Sequence, residues 1–353
     1  MEGVSVIRVP LYPSHDNSGI NRFFNYASYA LAASIIGPWV VEQADVAYVY
    51  HPPATACLPA CIIRLLRRIP FVYNIQDIWP DALASSGMFK NKFGLWLVDR
   101  FCRFFYRSAS KIVAQSPGFK RELATNRGVP ADKIEVLYNW CDHIETKSAE
   151  KNIRLAEELG FTNRFNILFA GGMGKGQALG AVLDAAKILQ SRCPFVRFVF
   201  IGDGIEMSFL KQKKNDLALE NVVFLPRRPP SEIGAIMNLA DVLLVHLKDN
   251  FLHEITIPSK VQAYLAVGKP ILIAVRGDAA DLVEEARAGI KCQPENPQDI
   301  ADTVLKFQSM SKEQLEQMGQ NGKIFYEQNL SLAIGTKRYE QIFQEVASKK
   351  GNK

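Results

Sequence analysis

The chain alternates short apolar runs with longer stretches in which apolar residues return every three or four positions. The first pattern suits buried strands and the second suits helices, so the alternation predicts parallel α/β units rather than an all-β or all-α fold. In the first part, Val4–Val9, Val46–Tyr50, Phe71–Ile75, Lys111–Ala114 and Ile134–Leu137 read as strands, with helical periodicity over Asn17–Ile36 and Phe93–Arg107. A second series opens at Phe165–Ala170. It continues through Val196–Ile201, Val222–Leu225, Val242–Val245, Ile271–Ala274 and Gly289–Cys292. The charged stretch Asp142–Thr162 has no strand pattern and reads as the linker between the two series. After Pro297 the pattern is helical, with Tyr339, Ile342, Phe343 and Val346 on one apolar stripe. The expected organisation is two doubly wound α/β domains, over 1–145 and 146–330, and a C-terminal helix over 331–353. Such domains hold ligands at the C-terminal ends of their strands, here expected in a cleft between the two.

Composition agrees with this picture and closes off others. A chain of 353 residues accommodates about two domains, and 48% hydrophobic content excludes intrinsic disorder. Six cysteines without a C-x-x-C pair, and only five histidines, exclude a disulfide framework and disfavour structural zinc; they fit a reducing cytosol. The apolar stretch Ala27–Val41 is interrupted by Gly37-Pro38 and is shorter than the ~20 residues a membrane span needs. The first ten residues read as a strand rather than a signal peptide, so a soluble cytoplasmic protein is expected.

The net charge of +6 is concentrated. Residues 57–111 hold nine basic residues against Asp77, Asp81 and Asp99, a local +6. Within it Arg100, Arg103 and Arg107 fall on one helical stripe beside Phe101, Phe104 and Phe105. A basic helix rimmed by aromatics suits an anionic membrane surface or a lipid phosphate; the plainer reading is a solvated helix face over an ordinary core. No nucleic-acid-binding motif accompanies it.

Two segments carry candidate chemistry. Phe165–Ala170 runs into Gly171-Gly172-Met173-Gly174-Lys175-Gly176, with a helix expected over Gln177–Gln190. Glycines between a strand and a helix let backbone N–H groups approach a phosphate, and Lys175 adds a charge. The spacing matches neither the dinucleotide fingerprint nor a Walker loop, and a ligand-free turn uses glycine as well. Farther on, Glu254 precedes Pro258-Ser259-Lys260, a helix start with Ser259 or its neighbour as cap, and Gly268-Lys269-Pro270 ends that helix. Its first amides suit a diphosphate, and Glu254 and Gln262 suit sugar or ribose hydroxyls. An ordinary capped helix with a surface carboxylate would look the same.

The run Glu254–Pro270 resembles the donor-binding E-x7-E region of the retaining family-four glycosyltransferases, and more closely the bacterial surface-polysaccharide branch of colanic-acid and fucosamine transferases. The resemblance extends through Tyr50-His51-Pro52-Pro53, Tyr73 to Asp81, Gln115 to Phe119, the Gly171–Gly176 loop, Gly202-Asp203-Gly204 and Leu225 to Arg228. It implies the GT-B fold, two Rossmann-like domains facing across a cleft. It further implies a UDP- or GDP-linked sugar held by the second domain, with Glu254 at the sugar hydroxyls. Pro258, the Ser259 and Lys260 amides, Gly171, Gly172, Gly174 and Lys175 would hold the diphosphate. Arg227 would lie near the base, Arg228 or Lys175 at the leaving group, and Gln262 at the ribose. No metal or other cofactor is implied, so basic side chains would neutralise the leaving diphosphate.

Two positions depart from the family pattern. Gln262 replaces the second Glu, and the first-domain motif reads Gln76-Asp77 where relatives often have His before the Asp. That leaves Asp77 as the polar group expected at the acceptor, or as a cap for the turn at Trp79-Pro80. His51 and His246, at strand ends, read equally as packed or as site histidines. The implied acceptor is a polyprenyl-diphosphate-linked saccharide, met at the inner face of an anionic membrane. Relatives carry a strand, loop and helix ahead of the strand expected at Val4, so the resemblance implies a first domain without its first βαβ unit. The rivals are a catalytically silent GT-B scaffold binding a partner or glycan, and a sugar-nucleotide epimerase.

Overall fold

The computed structural model describes residues 3–14, 19–85, 91–141 and 153–351. Lys90 of the basic window, the 145/146 boundary and the linker residues 142–152 lie outside the described residues. The chain divides into two compact units. The first comprises Met1–Tyr138 with Thr336–Lys353, and the second Asn139–Gly335.

The first unit is built on four parallel strands in the order β1 (Ala47–His51), β2 (Phe71–Ile75), β3 (Lys111–Ala114), β4 (Ile134–Val136). All five residues of β2 are buried, as its apolar run requires for a strand covered on both faces. His51 pairs with Ile75 and Ile75 with Ala114, which brings the C-terminal ends of three strands level. Val4–Val9 forms no strand, contrary to the sequence reading. The apolar residues are there, but no ladder receives them, and Val4, Val6 and Ile7 are exposed. Ile7–Val9 instead borders a cavity beside β1. The first long helix, Gly19–Val40, also runs through Gly37-Pro38 without interruption.

A hub of charge ties this unit together. Arg127 bonds Asp99 at 2.6 Å and Glu122 at 3.3 Å and also pairs with Asp81, joining the helices Asp81–Ser85, Lys92–Ser108 and Pro117–Thr125. Burial opposes the guanidinium charge, but the three carboxylates more than offset it and raise the pKa of Arg127. The helix Leu332–Gly351 completes the unit. Its Ile342 and Val346 pack on Val72, Val113 and Leu137, with Tyr339 and Phe343 at the edge. The stripe expected from the sequence therefore covers the first sheet.

The second unit holds six parallel strands in the order β10-β9-β8-β5-β6-β7. They are β5 (Phe165–Ala170), β6 (Val196–Ile201), β7 (Val222–Leu225), β8 (Val242–His246), β9 (Ile271–Ala274) and β10 (Gly289–Lys291). The chain starts in the middle with β5, winds outward to β7, then returns to the other side at β8. Successive connections thus leave β5 and β8 in opposite directions. That reversal opens a crevice at their C-terminal ends, the place where doubly wound sheets bind ligands.

Candidate functional site

The loops after β5 and β6 meet backbone to backbone at the crevice. Gly171 N–H donates to Ile201 O at 2.8 Å, and Met173 N–H to Asp203 O at 2.8 Å. Gly171 has φ +134° and Gly202 φ +137°, and a Cβ on Gly202 would run into the Gly171 carbonyl. Only glycine permits both the approach and the dihedral. The helix expected from Gln177 begins at Gly180, because Ala178 adopts a left-handed turn (φ 45°) after a short 3₁₀ turn at Lys175–Gln177. Gly174 N–H is taken by Gln177 Oε1 at 2.9 Å, and Lys175 is exposed.

The cation that reaches the glycine loop is Lys260. A Cβ on Gly171 would lie 2.8 Å from its Nζ, and the ammonium stands 4.8 Å from the centroid of Phe169. Burial lowers its pKa from the ordinary lysine value, and no carboxylate pairs with it among the described residues. Lys260 sits in the first turn of the helix Ser259–Val267. Pro258 takes the N-cap position and supplies no side-chain cap, so Ser259 does not cap its own helix. None of the described groups accepts from the Ser259 and Lys260 amides, which leaves two donors and the positive helix end for an anion.

Gly171, Gly172, Gly202, Asp203, Arg227, Arg228, Ser259 and Lys260 surround a cavity of ≈ 560 Å³, with Ile233 and Met237 forming an apolar wall. Arg228 lies 3.6 Å from Glu232, yet its Nε is buried without an acceptor. Arg227 is exposed. Three cations and one acid, Asp203, line the space, and Asp203 Oδ1 accepts the Gly204 N–H at 2.7 Å. The arrangement suits an anion of two or more charges whose attached ring rests on the apolar wall.

Gln262 does not share this space. It is buried with its side-chain amide against the Pro258 and Ser259 carbonyls. In the amide orientation assigned from those acceptors, its nitrogen donates to Pro258 O at 2.8 Å and Ser259 O at 3.2 Å. The helix turns about 100° per residue, so the cavity-facing position one turn after Ser259 is Ala263. Glu254 is exposed on the short helix Phe251–Ile255 and lies outside the cavity lining. Gly277, at φ +73°, packs against its backbone and Cγ. Tyr264, to which the sequence reading gave no role, accepts the Ala170 N–H at 3.0 Å and fixes the helix to the end of β5. Its spacing four residues after Lys260 carried no separate signal. His246 serves the frame: Nδ1 meets Gln177 O at 2.7 Å, and Nε2 accepts the Glu295 N–H at 3.1 Å. Burial keeps its pKa low, in the neutral form those two bonds need. Among the described residues, no three His, Cys, Asp or Glu side chains gather to hold a metal ion.

In the first unit, Gln76 donates to Asn74 Oδ1 at 2.8 Å, and its carbonyl accepts Gln115 Nε2 at 2.6 Å. Asp77 is half-buried beyond the end of β2, and desolvation raises its pKa. Its charge acts on Tyr50, at the end of β1. His51 is buried between Tyr73 and Trp79 with Nδ1 unpaired, and burial lowers its pKa to about 3. Arg103 is held by Asp99 at 2.6 Å and Asn126 O at 2.9 Å, whereas Arg100 and Arg107 are exposed and meet no acid among the described residues.

Comparison with known proteins gives two domain matches. Residues 1–140 match the glycosyl transferase 4-like domain, and residues 164–309 match the glycosyl transferases group 1 domain. An uncharacterized glycosyltransferase of Methanocaldococcus jannaschii, MJ1178, is 22% identical over 309 residues, which is 86% of this chain and 76% of that protein. The crystal structure of Anabaena Alr3699/HepE in complex with UDP and glucose superposes with a TM-score of 0.69 at 21% identity, over 94% of this chain and 83% of that one. An alpha,alpha-trehalose-phosphate synthase (UDP-forming) from Burkholderia vietnamiensis superposes at 0.74 with 12% identity, over 96% and 80%. The two parallel-sheet domains thus match GT-B structures.

Proposed function

With residues 1–140 belonging to the glycosyl transferase 4-like domains and 164–309 to the glycosyl transferases of group 1, the chain is a glycosyltransferase, and we propose that it moves a sugar from a nucleotide donor, with retention, to a lipid-linked or saccharide acceptor in cell-surface polysaccharide assembly. The observation that carries the donor half is the cationic cavity at the glycine loop and the helix start of Ser259. In this reading the base rests near Arg227 and on Ile233 and Met237. The diphosphate takes the amides of Ser259 and Lys260, the Lys260 ammonium and the Arg228 guanidinium. Structures of HepE with UDP and with UDP-glucose favour a uridine nucleotide.

Chemistry then needs little from the protein beyond position and charge. The bond from the anomeric carbon to the diphosphate breaks with its electron pair going to the diphosphate. The acceptor oxygen bonds to the same face, and its proton passes to a diphosphate oxygen. Lys260, Arg228 and the helix end stabilise the leaving charge without a metal, Glu254 holds the sugar hydroxyls, and Asp77 orients the acceptor. Such fixed charges supply part of the roughly 8 kcal/mol or more by which enzymes lower a barrier. Work at the inner face of the membrane, from the cytoplasm, follows from a polyprenyl-linked acceptor.

The test is a thermal-shift series with UDP, GDP and ADP, followed by a nucleotide-sugar screen on a polyprenyl-diphosphate-linked acceptor read by mass spectrometry. UDP at about a hundred times its Kd adds about 2.7 kcal/mol to stability, and product mass rises by one sugar. No protection by any of the three nucleotides refutes the donor site.

A further inference from the structure

Large exposed apolar side chains are distributed unevenly: of the twenty-nine among the described residues, twenty-one belong to the first unit. They concentrate on two helices. On Gly19–Val40, the positions Ile20, Phe23, Phe24, Leu31, Ile35 and Trp39 share one side at 100° per residue, and all are exposed, Trp39 by 83%. That helix carries Arg22 as its single charge. On Lys92–Ser108, the outward side presents Phe93, Trp96, Leu97, Phe101 and Phe104, with Arg100 and Arg107 among them. Cys102, Phe105 and Tyr106 occupy the buried side of the same helix.

Between the two helices lies a cavity of ≈ 390 Å³ whose walls are almost wholly apolar. Phe23, Ala27 and Leu31 close it from one helix, Leu97 and Phe101 from the other, and Trp79 from beneath. The acids near this face are already committed: Asp99 and Asp81 bond Arg127. Arg100, Arg107 and Lys92 consequently look outward with no carboxylate among the described residues. No described helix is long and apolar enough to cross a membrane.

We infer that this face docks on the surface of an anionic phospholipid bilayer, with both helices lying in the headgroup boundary and the cavity receiving lipid hydrocarbon. The charge pattern selects this occupant. Aromatic and aliphatic side chains at headgroup depth gain apolar contact, while Arg100 and Arg107 meet phosphates at the same level. A second copy of the face would set arginine against arginine across a twofold axis. The inference deepens the lipid-linked acceptor of the proposed function and rests on that reading only for its biological sense. Its test reads partition and not transfer, so either can fail alone.

The experiment is co-sedimentation of the full chain with vesicles of phosphatidylglycerol mixed with phosphatidylcholine, against pure phosphatidylcholine, at low and high salt. Binding to the anionic vesicles, weakened by salt, is expected. Arg100→Gln with Arg107→Gln, both at exposed positions, should lower partition about thirtyfold, at about 1 kcal/mol per charge. Leu31→Ser with Phe101→Ser, checked by an unchanged near-UV circular dichroism spectrum, should lower it independently of salt. Three results overturn the inference. They are equal partition to the neutral vesicles, undiminished binding by both double variants, or a dimer in sedimentation velocity that Leu31→Ser with Phe101→Ser makes monomeric.

Discussion

The phenol oxygen of Tyr264 accepts the backbone N–H of Ala170 at 3.0 Å, tying the helix Ser259–Val267 to the last residue of β5. Both groups are buried, so the bond sets the distance between the glycine loop and the amides of Ser259 and Lys260. Tyr264→Phe strands the Ala170 N–H without a partner. Stability should fall by about 1–3 kcal/mol, read from urea unfolding, and UDP should bind more weakly. Unaltered unfolding and binding would mean that the loop is positioned by other contacts.

Lys260→Met tests the cation in the cavity. A charged hydrogen bond to phosphate contributes about 2 kcal/mol, so UDP affinity measured by calorimetry should drop about thirtyfold. Burial lowers this pKa. Between the lowered value and the ordinary one, about 10.4, the unfolded state holds more protons. Stability of the ligand-free protein therefore rises with pH through that window, and UDP affinity falls. Both trends should disappear in the variant.

Glu254 is exposed beside the Gly277 turn and outside the cavity lining. Glu254→Ala should therefore spare UDP binding while lowering transfer about a hundredfold or more, the scale for losing one group that favours the transition state. Equal activity in the variant removes Glu254 from the donor sugar.

His51 gives a pH signature. An unfolded histidine takes its proton near 6.5, but burial holds this ring to about 3. Between these values only the unfolded state gains the proton, so stability falls as pH drops, by about 1.4 kcal/mol per unit, and levels off below 3. His51→Phe, surrounded by Tyr73 and Trp79, should flatten that part of the slope in urea titrations from pH 7 to 4.

Sequence pattern made the frame legible where burial is continuous. Phe71–Ile75 and Phe165–Ala170 leave little choice but a covered parallel strand. Val4–Val9 has a comparable pattern and no ladder, because pairing depends on a neighbour that local composition does not encode. The donor site was legible as a neighbourhood, not as contacts. Lys175 follows the glycines in the chain, yet the lysine at Gly171 comes from the helix start after β8. Gln262 sits at the family spacing, yet the helical rotation turns it toward Pro258 and Ser259. On the basic helix Arg103 shares its stripe with Arg100 and Arg107, and only the fold shows that Asp99 and Asn126 occupy it.

The helix Leu332–Gly351 covers the first sheet from the far end of the chain, where Arg338 also donates to Glu135 Oε1 at 3.0 Å. Synthesis therefore finishes the two units in reverse order. Domains usually fold from the N-terminus as the ribosome releases them. Here the contiguous second unit has all its strands in hand while Val72, Val113 and Leu137 still await Ile342 and Val346. A nascent chain carries the uncovered sheet face until that helix emerges. A fragment ending at Tyr138 would keep that face bare for good, so an isolated first unit needs the helix Leu332–Gly351 grafted back to cover it.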